Sequence, residues 1–258
     1  MARGNRAVAI DRESCVLVVA GTDSSGGAGV TRDVETIAAL GLSSCVAVTA
    51  VTAQTHRSVD WIEHTPPRFI AAQMRAAIAA NNVKAIKIGM LGTDGAIQEA
   101  AKVLRDHSDI PVVLDPVLAA SSGRALIVED AVAALRRDLM PLCRLVTPNM
   151  PELAVLTGSA SPSDEASACR RGEELVRTVG TAVLVKGGHA SGSESVDLLL
   201  QPHLPALRYA SPRLPREMRG TGCMLSSAIA VSLALGASLE QSVRRARQYV
   251  FDALAGSK

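Results

Sequence analysis

Seven short runs of Val, Ile, Leu and Ala recur along this chain, and they read as apolar on both faces. They are 16–20 (VLVVA), 45–51 (CVAVTAV), 85–88 (AIKI), 112–115 (VVLD), 144–147 (RLVT), 182–186 (AVLVK) and 196–200 (VDLLL). A strand with one wet face alternates polar and apolar residues; a strand covered on both sides does not. Between the runs lie segments with helical apolar spacing: 28–40, 68–80, 95–107, 129–139, 163–178, 222–235 and 239–254. In the last, Leu239, Val243, Ala246, Val250 and Leu254 fall on one face. Asp94 and Asp164 stand where helix N-caps belong. This alternation predicts an α/β protein: a three-layer α/β/α sandwich with a mainly parallel central sheet. A further extended segment is expected near 207–210, inside a Pro-rich stretch, 202–216, that otherwise reads as an irregular connection. Residues 1–14 read as a loosely ordered leader and 15–258 as a single domain.

Composition removes several function classes. The formal net charge is +2, no block of five like charges occurs, and aromatics are 2%. Without a basic stripe or a stacking platform, nucleic acid is not an expected partner. Cysteines 15, 45, 143, 169 and 223 are odd in number, scattered and free of C-x-x-C. That argues against a disulfide framework or a zinc site and fits a reducing cytoplasm. The short apolar run near the N-terminus follows Asp11, Arg12 and Glu13, unlike a signal peptide. No uncharged apolar stretch of about 18 residues occurs, so no membrane span is expected.

In open α/β sheets, ligands bind beyond the carboxyl ends of the strands, and the polar motifs of this chain cluster there. Gly220-Thr221-Gly222-Cys223 opens an apolar helix. Its free amides and the positive end of the helix dipole suit an anion, and the Cys223 thiol would sit beside that anion as a base or nucleophile. Gly21-Thr22-Asp23-Ser24-Ser25-Gly26-Gly27-Ala28-Gly29 follows the first run as a glycine-rich turn, with Asp23 able to accept from a hydroxyl or amine. It is not G-x-G-x-x-G, and no G-x-x-x-x-G-K-[ST] occurs, which weakens a dinucleotide fold and a P-loop kinase. Gln54 offers a donor and an acceptor to a heterocycle edge, and Met90 an adaptable apolar contact. Asp115, ending a run, could hold Mg²⁺ through water or cap the next loop. Asn149 and Glu152 could face phosphates and Mg²⁺, or form a helix cap. Lys186, followed by two glycines, suits a phosphate chain as a point charge, while His189 reads as peripheral.

In this order the motifs resemble the hydroxymethylpyrimidine/phosphomethylpyrimidine kinases of thiamine biosynthesis, within the ribokinase-like superfamily. The matching stretches are AGTDSSGGAGVTRDVETIAALG (20–41), VTAVTAQ (48–54), KIGMLG (87–92), VLDPVL (113–118), VTPNMPELAVLTG (146–158), VLVKGGH (183–189) and GTGCMLSSAIA (220–230). They cover nearly the whole chain from residue 16. The resemblance implies a ribokinase-like fold, ATP as co-substrate, Mg²⁺ and a homodimer. It implies two successive phosphorylations, of 4-amino-5-hydroxymethyl-2-methylpyrimidine and of its monophosphate. It also implies Cys223 as the base and the amides of 220–223 as the anion hole. Asp23, Gln54, Met90 and Val117, with the Gly21 loop, take the pyrimidine side. Asn149 and Glu152 match an N-x-x-E element, and Lys186 a phosphate-binding lysine. Two departures stand out. Arg219 precedes the Gly-Thr-Gly-Cys motif where the family often has His, and Thr55-His56 follows Gln54 where Asn-Thr is common. The alternatives are a pyridoxal/pyridoxine kinase of the same superfamily, against which Gln54 and Met90 speak, and a thiazole-alcohol kinase, which the rest of the chain matches less well. A silent ligand-binding relative would have lost the base, the anion hole or N-x-x-E, and all three are present.

Overall fold

A computed structural model describes residues 14–120, 123–124, 126–127, 129–188, 192–216 and 218–256. The expected leader therefore lies outside the described residues up to 13, as does His189, and Ser14 already belongs to the first strand. Eight strands form the main sheet: β1 (Ser14–Ala20), β2 (Ser43–Val48), β5 (Asn82–Ile88), β6 (Val112–Leu114), β7 (Leu145–Val146), β8 (Ala182–Lys186), β9 (Glu194–Leu200) and β10 (Leu207–Pro212). Their order is β10-β9-β8-β7-β6-β5-β1-β2. From β8 to β2 every pairing is parallel; β9 and β10 add antiparallel.

The doubly apolar runs have the expected cause. In β1, Val16 and Val18 face one core cluster, while Leu17 and Val19 face another. One layer holds α2 (Pro67–Ala80), α3 (Asp94–Arg105), α4 (Glu129–Ala134), α5 (Met150–Thr157) and α6 (Glu165–Val179). The other holds α1 (Gly29–Ala39), α7 (Thr221–Ala234) and α8 (Leu239–Ala255). The central sheet between these two layers is the expected sandwich.

Four local expectations need correction. The run 45–51 is not one strand. Buried Thr49 divides it, with its N–H on Ala20 O at 3.0 Å and its hydroxyl on Met90 O at 2.6 Å. The chain then leaves the sheet as β3 (Ala50–Gln54), which pairs antiparallel with β4 (Val59–His64). That fourth strand carries Asp60, Glu63 and His64 and gives no buried-strand signal, because one face of the ribbon meets solvent: Val51 and Trp61 are exposed, Ala50 and Thr52 buried. The helix expected over 129–139 stops at Ala134 and continues as wider and tighter turns through Leu142; Pro141 lacks the N–H that a further α turn needs. Asp164 caps α6 as expected, but Thr93 rather than Asp94 caps α3, accepting from Ala96 N. No described helix is long and apolar enough to cross a membrane.

Candidate active site

The parallel strands end together, and α7 lies across β1, β5 and β6 with its N-terminus over those ends. Gly220 caps it at φ +75°, where a side chain would collide with Gly27 O; a non-glycine residue would be strained by about 1–2 kcal/mol before that collision. Met224 N is bonded back to Gly220 O at 2.8 Å. The amides of Thr221, Gly222 and Cys223 precede it in the first turn, where an α-helix supplies no acceptor.

One side of this helix start is built from strand ends. Lys186 Nζ lies 2.7 Å from Asp115 Oδ1 and 3.9 Å from Glu152 Oε2. A Cβ on Gly222 would lie 3.3 Å from Lys186 Nζ and 3.5 Å from Asp115 Oδ2, so the cation and the carboxylate sit directly against the helix start. Burial pushes Asp115 up, but the charges of Lys186 and Lys87 outweigh it and hold the carboxyl below its usual range. Burial works against the Lys186 ammonium, and Asp115 and Glu152 more than restore it. Glu152 is pushed up to about 7 by burial and the Asp115 charge, with Lys186 pulling the other way. Asn149 and Glu152 also form a reciprocal cap on α5, each side chain accepting from the other's N–H at 2.8 Å. Capping and facing Lys186 are compatible for Glu152.

The other side is built from loops. Thr22 N donates to Ala50 O at 2.9 Å, and the Ser24 hydroxyl exchanges two hydrogen bonds with the Gln54 backbone, so the glycine-rich turn is tied along β3. A Cβ on Gly21 would lie 3.3 Å from Met90 Sδ. Asp23 accepts from Ser25 N at 2.8 Å and Ser25 Oγ at 2.6 Å. Burial works to raise Asp23, but bonds from Ser25 and Gln54 and the Arg219 charge hold it below the usual carboxylate range. Gly21, Asp23, Gln54 and Met90 thus share one wall. Val117 follows Asp115, its N–H on Asp115 O at 2.8 Å, and places itself on the strand-end side.

Cys223 lies between the two sides. Helix starts tend to lower a thiol, yet burial pushes this one up to about 11, against the pull of Lys87 and the Gly29 amide and with the push of Asp33 and Asp115.

Arg219, which the sequence marked as a departure, holds the loop side together, while Asp197 and Lys87 escaped sequence reasoning. Arg219 reaches Ser25 Oγ (3.0 Å), His56 Nδ1 (3.0 Å), Thr55 O (3.3 Å) and Asp23 Oδ2 (3.4 Å), tying both loops to the α7 start. Asp197, buried and paired with Arg247 at 2.8 Å, accepts from Gly187 N and fixes the turn after Lys186. Lys87 is fully buried in β5 and paired with Asp33 of α1 at 2.7 Å. A lysine inside AIKI was the available signal, since a buried charge must have a partner.

A family profile described as phosphomethylpyrimidine kinase matches residues 23–258. The chain belongs to the phosphomethylpyrimidine kinase family. A hydroxymethylpyrimidine/phosphomethylpyrimidine kinase of Rhizobium meliloti (strain 1021) is 43% identical over 245 residues, covering 93% of this chain and 90% of that one. The crystal structure of phosphomethylpyrimidine kinase from Clostridium difficile 630 superposes with a TM-score of 0.80 at 32% identity, covering 93% of this chain and 99% of that one. Pyridoxal kinase from Staphylococcus aureus, in complex with AMP-PCP and pyridoxal, gives 0.84 at 26% identity, covering 94% and 88%. Phosphomethylpyrimidine kinases and a pyridoxal kinase thus share this architecture, as the ribokinase-like expectation required.

Proposed function

We propose that this kinase transfers the γ-phosphoryl group of ATP first to the hydroxymethyl oxygen of 4-amino-5-hydroxymethyl-2-methylpyrimidine and then to the resulting monophosphate, in thiamine biosynthesis. One observation carries the reading beyond family membership. Cys223 sits at a capped but acceptor-free helix start, between a carboxylate–lysine cluster and a loop wall that holds Asp23 and Gln54. A phosphoryl transfer needs that order of parts: a proton acceptor, an anion hole and cations along the phosphates.

The roles follow from position. Asp23, Gln54, Met90 and the Gly21 turn hold the pyrimidine, and Val117 closes on it from the strand-end side. Cys223 takes the hydroxyl proton as the oxygen bonds to phosphorus and ADP leaves. Its resting form at neutral pH is the thiol, and the small thiolate fraction is a strong acceptor. The amides of Gly220, Thr221, Gly222 and Cys223 face the migrating charge. Lys186 supplies a cation to the phosphates, with Asn149 beside them.

The family resemblance also implies Mg²⁺. Among the described residues no cluster of three or more His, Cys, Asp or Glu side chains could hold a metal alone. Two carboxylates, Asp115 and Glu152, share one lysine. That donor set fits Mg²⁺, which keeps several waters and takes one or two carboxylates plus phosphate oxygens. Asp115 and Glu152 would hold it, and when bound it would neutralise phosphate charge.

A homodimer through the outer face of the β3–β4 ribbon is part of the proposal, supported by exposed Val51 and Trp61. Five free thiols support a reducing, cytoplasmic setting. The test is ADP release with MgATP and the hydroxymethylpyrimidine or pyridoxal, with products resolved by mass. Mono- and diphosphorylated pyrimidine are expected. Turnover of pyridoxal alone would overturn the substrate and leave the fold and the Cys223 chemistry.

A further inference from the structure

The Lys87–Asp33 pair lies on no surface and touches no proposed substrate wall. Both side chains are wholly buried, and Ser227 Oγ donates to the second Asp33 oxygen at 2.8 Å. Lys87 is the largest fully buried side chain of the protein among the described residues. A core that needed only to join α1, β5 and α7 could do so with apolar residues at equal or lower cost. The location gives the pair a further use. Ser227 is four residues beyond Cys223 on α7, so the two share a helix face one turn apart. Lys87 Nζ also lies directly beneath the strand end: a Cβ on Gly89 would be 3.0 Å from it.

We propose that Lys87 is a positioning residue for phosphoryl transfer, a cation clamped by Asp33 beneath the start of α7 against which Cys223 gives up and takes back its proton. This rests on Cys223 being the base. Four charged groups on four elements act electrostatically on the Cys223 thiol: Lys87 on β5, Asp33 on α1, Asp115 after β6 and Lys186 on β8. Only Lys87 is both cationic and outside the cluster that receives the phosphates. After burial, it is the strongest influence on the thiol, ahead of Asp33. Burial works against the Lys87 ammonium, but Asp33, Cys223 and Asp115 outweigh it and keep the lysine protonated. The lysine charge is thus constant across the working pH range.

The experiment measures the acidity of Cys223 in the full-length protein, from the pH dependence of its alkylation by iodoacetamide. It is read on the tryptic peptide running from Gly220 to Arg244. The variants are Asp33→Asn/Lys87→Met and Asp33→Leu/Lys87→Met, neither of which leaves an unpaired buried charge. Lys87 outweighs Asp33 at the thiol, so removing both should make the thiol less acidic than in the wild type, and alkylation below the midpoint should be about threefold or more slower. An unchanged or lowered midpoint would overturn the proposal. A purely structural pair would loosen the site and speed alkylation at every pH alike. Should one double variant fail to fold, the other decides the same question. The pH profile of kcat separates the hold of Lys87 on the thiol from the role of that thiol as base. A thiol midpoint that moves while the kcat profile stays put would retire Cys223 as the base and leave the hold of Lys87 intact.

Discussion

The two sides of the α7 N-terminus are made of different material. Lys186 and Asp115 stand at the ends of parallel strands, with side chains 13% and 3% exposed, and pair with each other and with Glu152 in the first turn of α5. Asp23, Gln54 and Arg219 stand on a turn, a ribbon outside the sheet and a loop, and the His56 and Thr55 contacts of Arg219 are exposed. The strand-end side is fixed by the core: displacing Lys186 would leave two buried carboxylates without the cation they share. The loop side can change a residue and keep its backbone bonds. Phosphomethylpyrimidine and pyridoxal kinases share this one fold at 32% and 26% identity to this chain. Under the proposed function, chemistry belongs to the rigid side and substrate choice to the adaptable one.

The largest expected effect lies between the two. Cys223→Ala should lower kcat by about a hundredfold to ten-thousandfold, with little change in unfolding midpoint. In the wild type, a base titrating at about 11 gains thiolate as pH rises, so kcat/KM should climb by about tenfold per unit between pH 7 and 9. C223A should lose that slope; a variant that keeps both slope and rate would remove Cys223 from the chemistry. Next comes the rigid side. Lys186→Met should reduce kcat/KM for ATP by about a hundredfold and cost on the order of 3 kcal/mol in stability, because it leaves Asp115 and Glu152 buried together. Chemical denaturation and initial rates check both halves. Loss of stability with an unchanged ATP response would make Lys186 a structural cation and break the division between the two sides.

The same contrast governs what was legible in the sequence. Buried parallel strands are written in consecutive Val, Leu and Ile, so β1, β6 and β8 and their terminal Asp115 and Lys186 could be placed from the residues alone. The β3–β4 ribbon has one wet face and mixed residues, VDWIEH, and its partner strand was hidden inside an apolar run that Thr49 divides. Cap chemistry is local and was legible at Asp164; a one-residue shift from Asp94 to Thr93 was not, since both can accept from an N–H. Lys87 and Asp33 are 54 residues apart and meet only through the crossover that lays α1 over β1 and β2, beside β5. The lysine was visible; its partner depended on topology.

On the adaptable side, Gln54→Ala should raise the pyrimidine KM by on the order of tenfold, the worth of about one hydrogen bond with its partner left bare, while the ATP KM stays within about twofold. Steady-state rates with each substrate varied in turn decide it. A larger change in the ATP KM would mean that β3 borders the phosphates, and the two sides would then be one.

The smallest effect is expected at Arg219, the residue before the Gly-Thr-Gly-Cys motif. Arg219 spans Asp23, Ser25, Thr55 and His56, and a histidine at 219 is too short to bridge them all. Its pairing with Asp23 is 3.4 Å and the arginine side chain is 24% exposed, so the pairing is worth at most about 1 kcal/mol after screening. Arg219→His should therefore change the pyrimidine KM by less than about fivefold and leave kcat alone. Asp23 keeps its two Ser25 bonds in the variant, so the carboxylate remains in place to receive substrate. A fall in kcat of about tenfold confined to the monophosphate substrate would place the guanidinium on a phosphate. The loop side would then take part in the second transfer, and the division between chemistry and selectivity would hold for the first step alone.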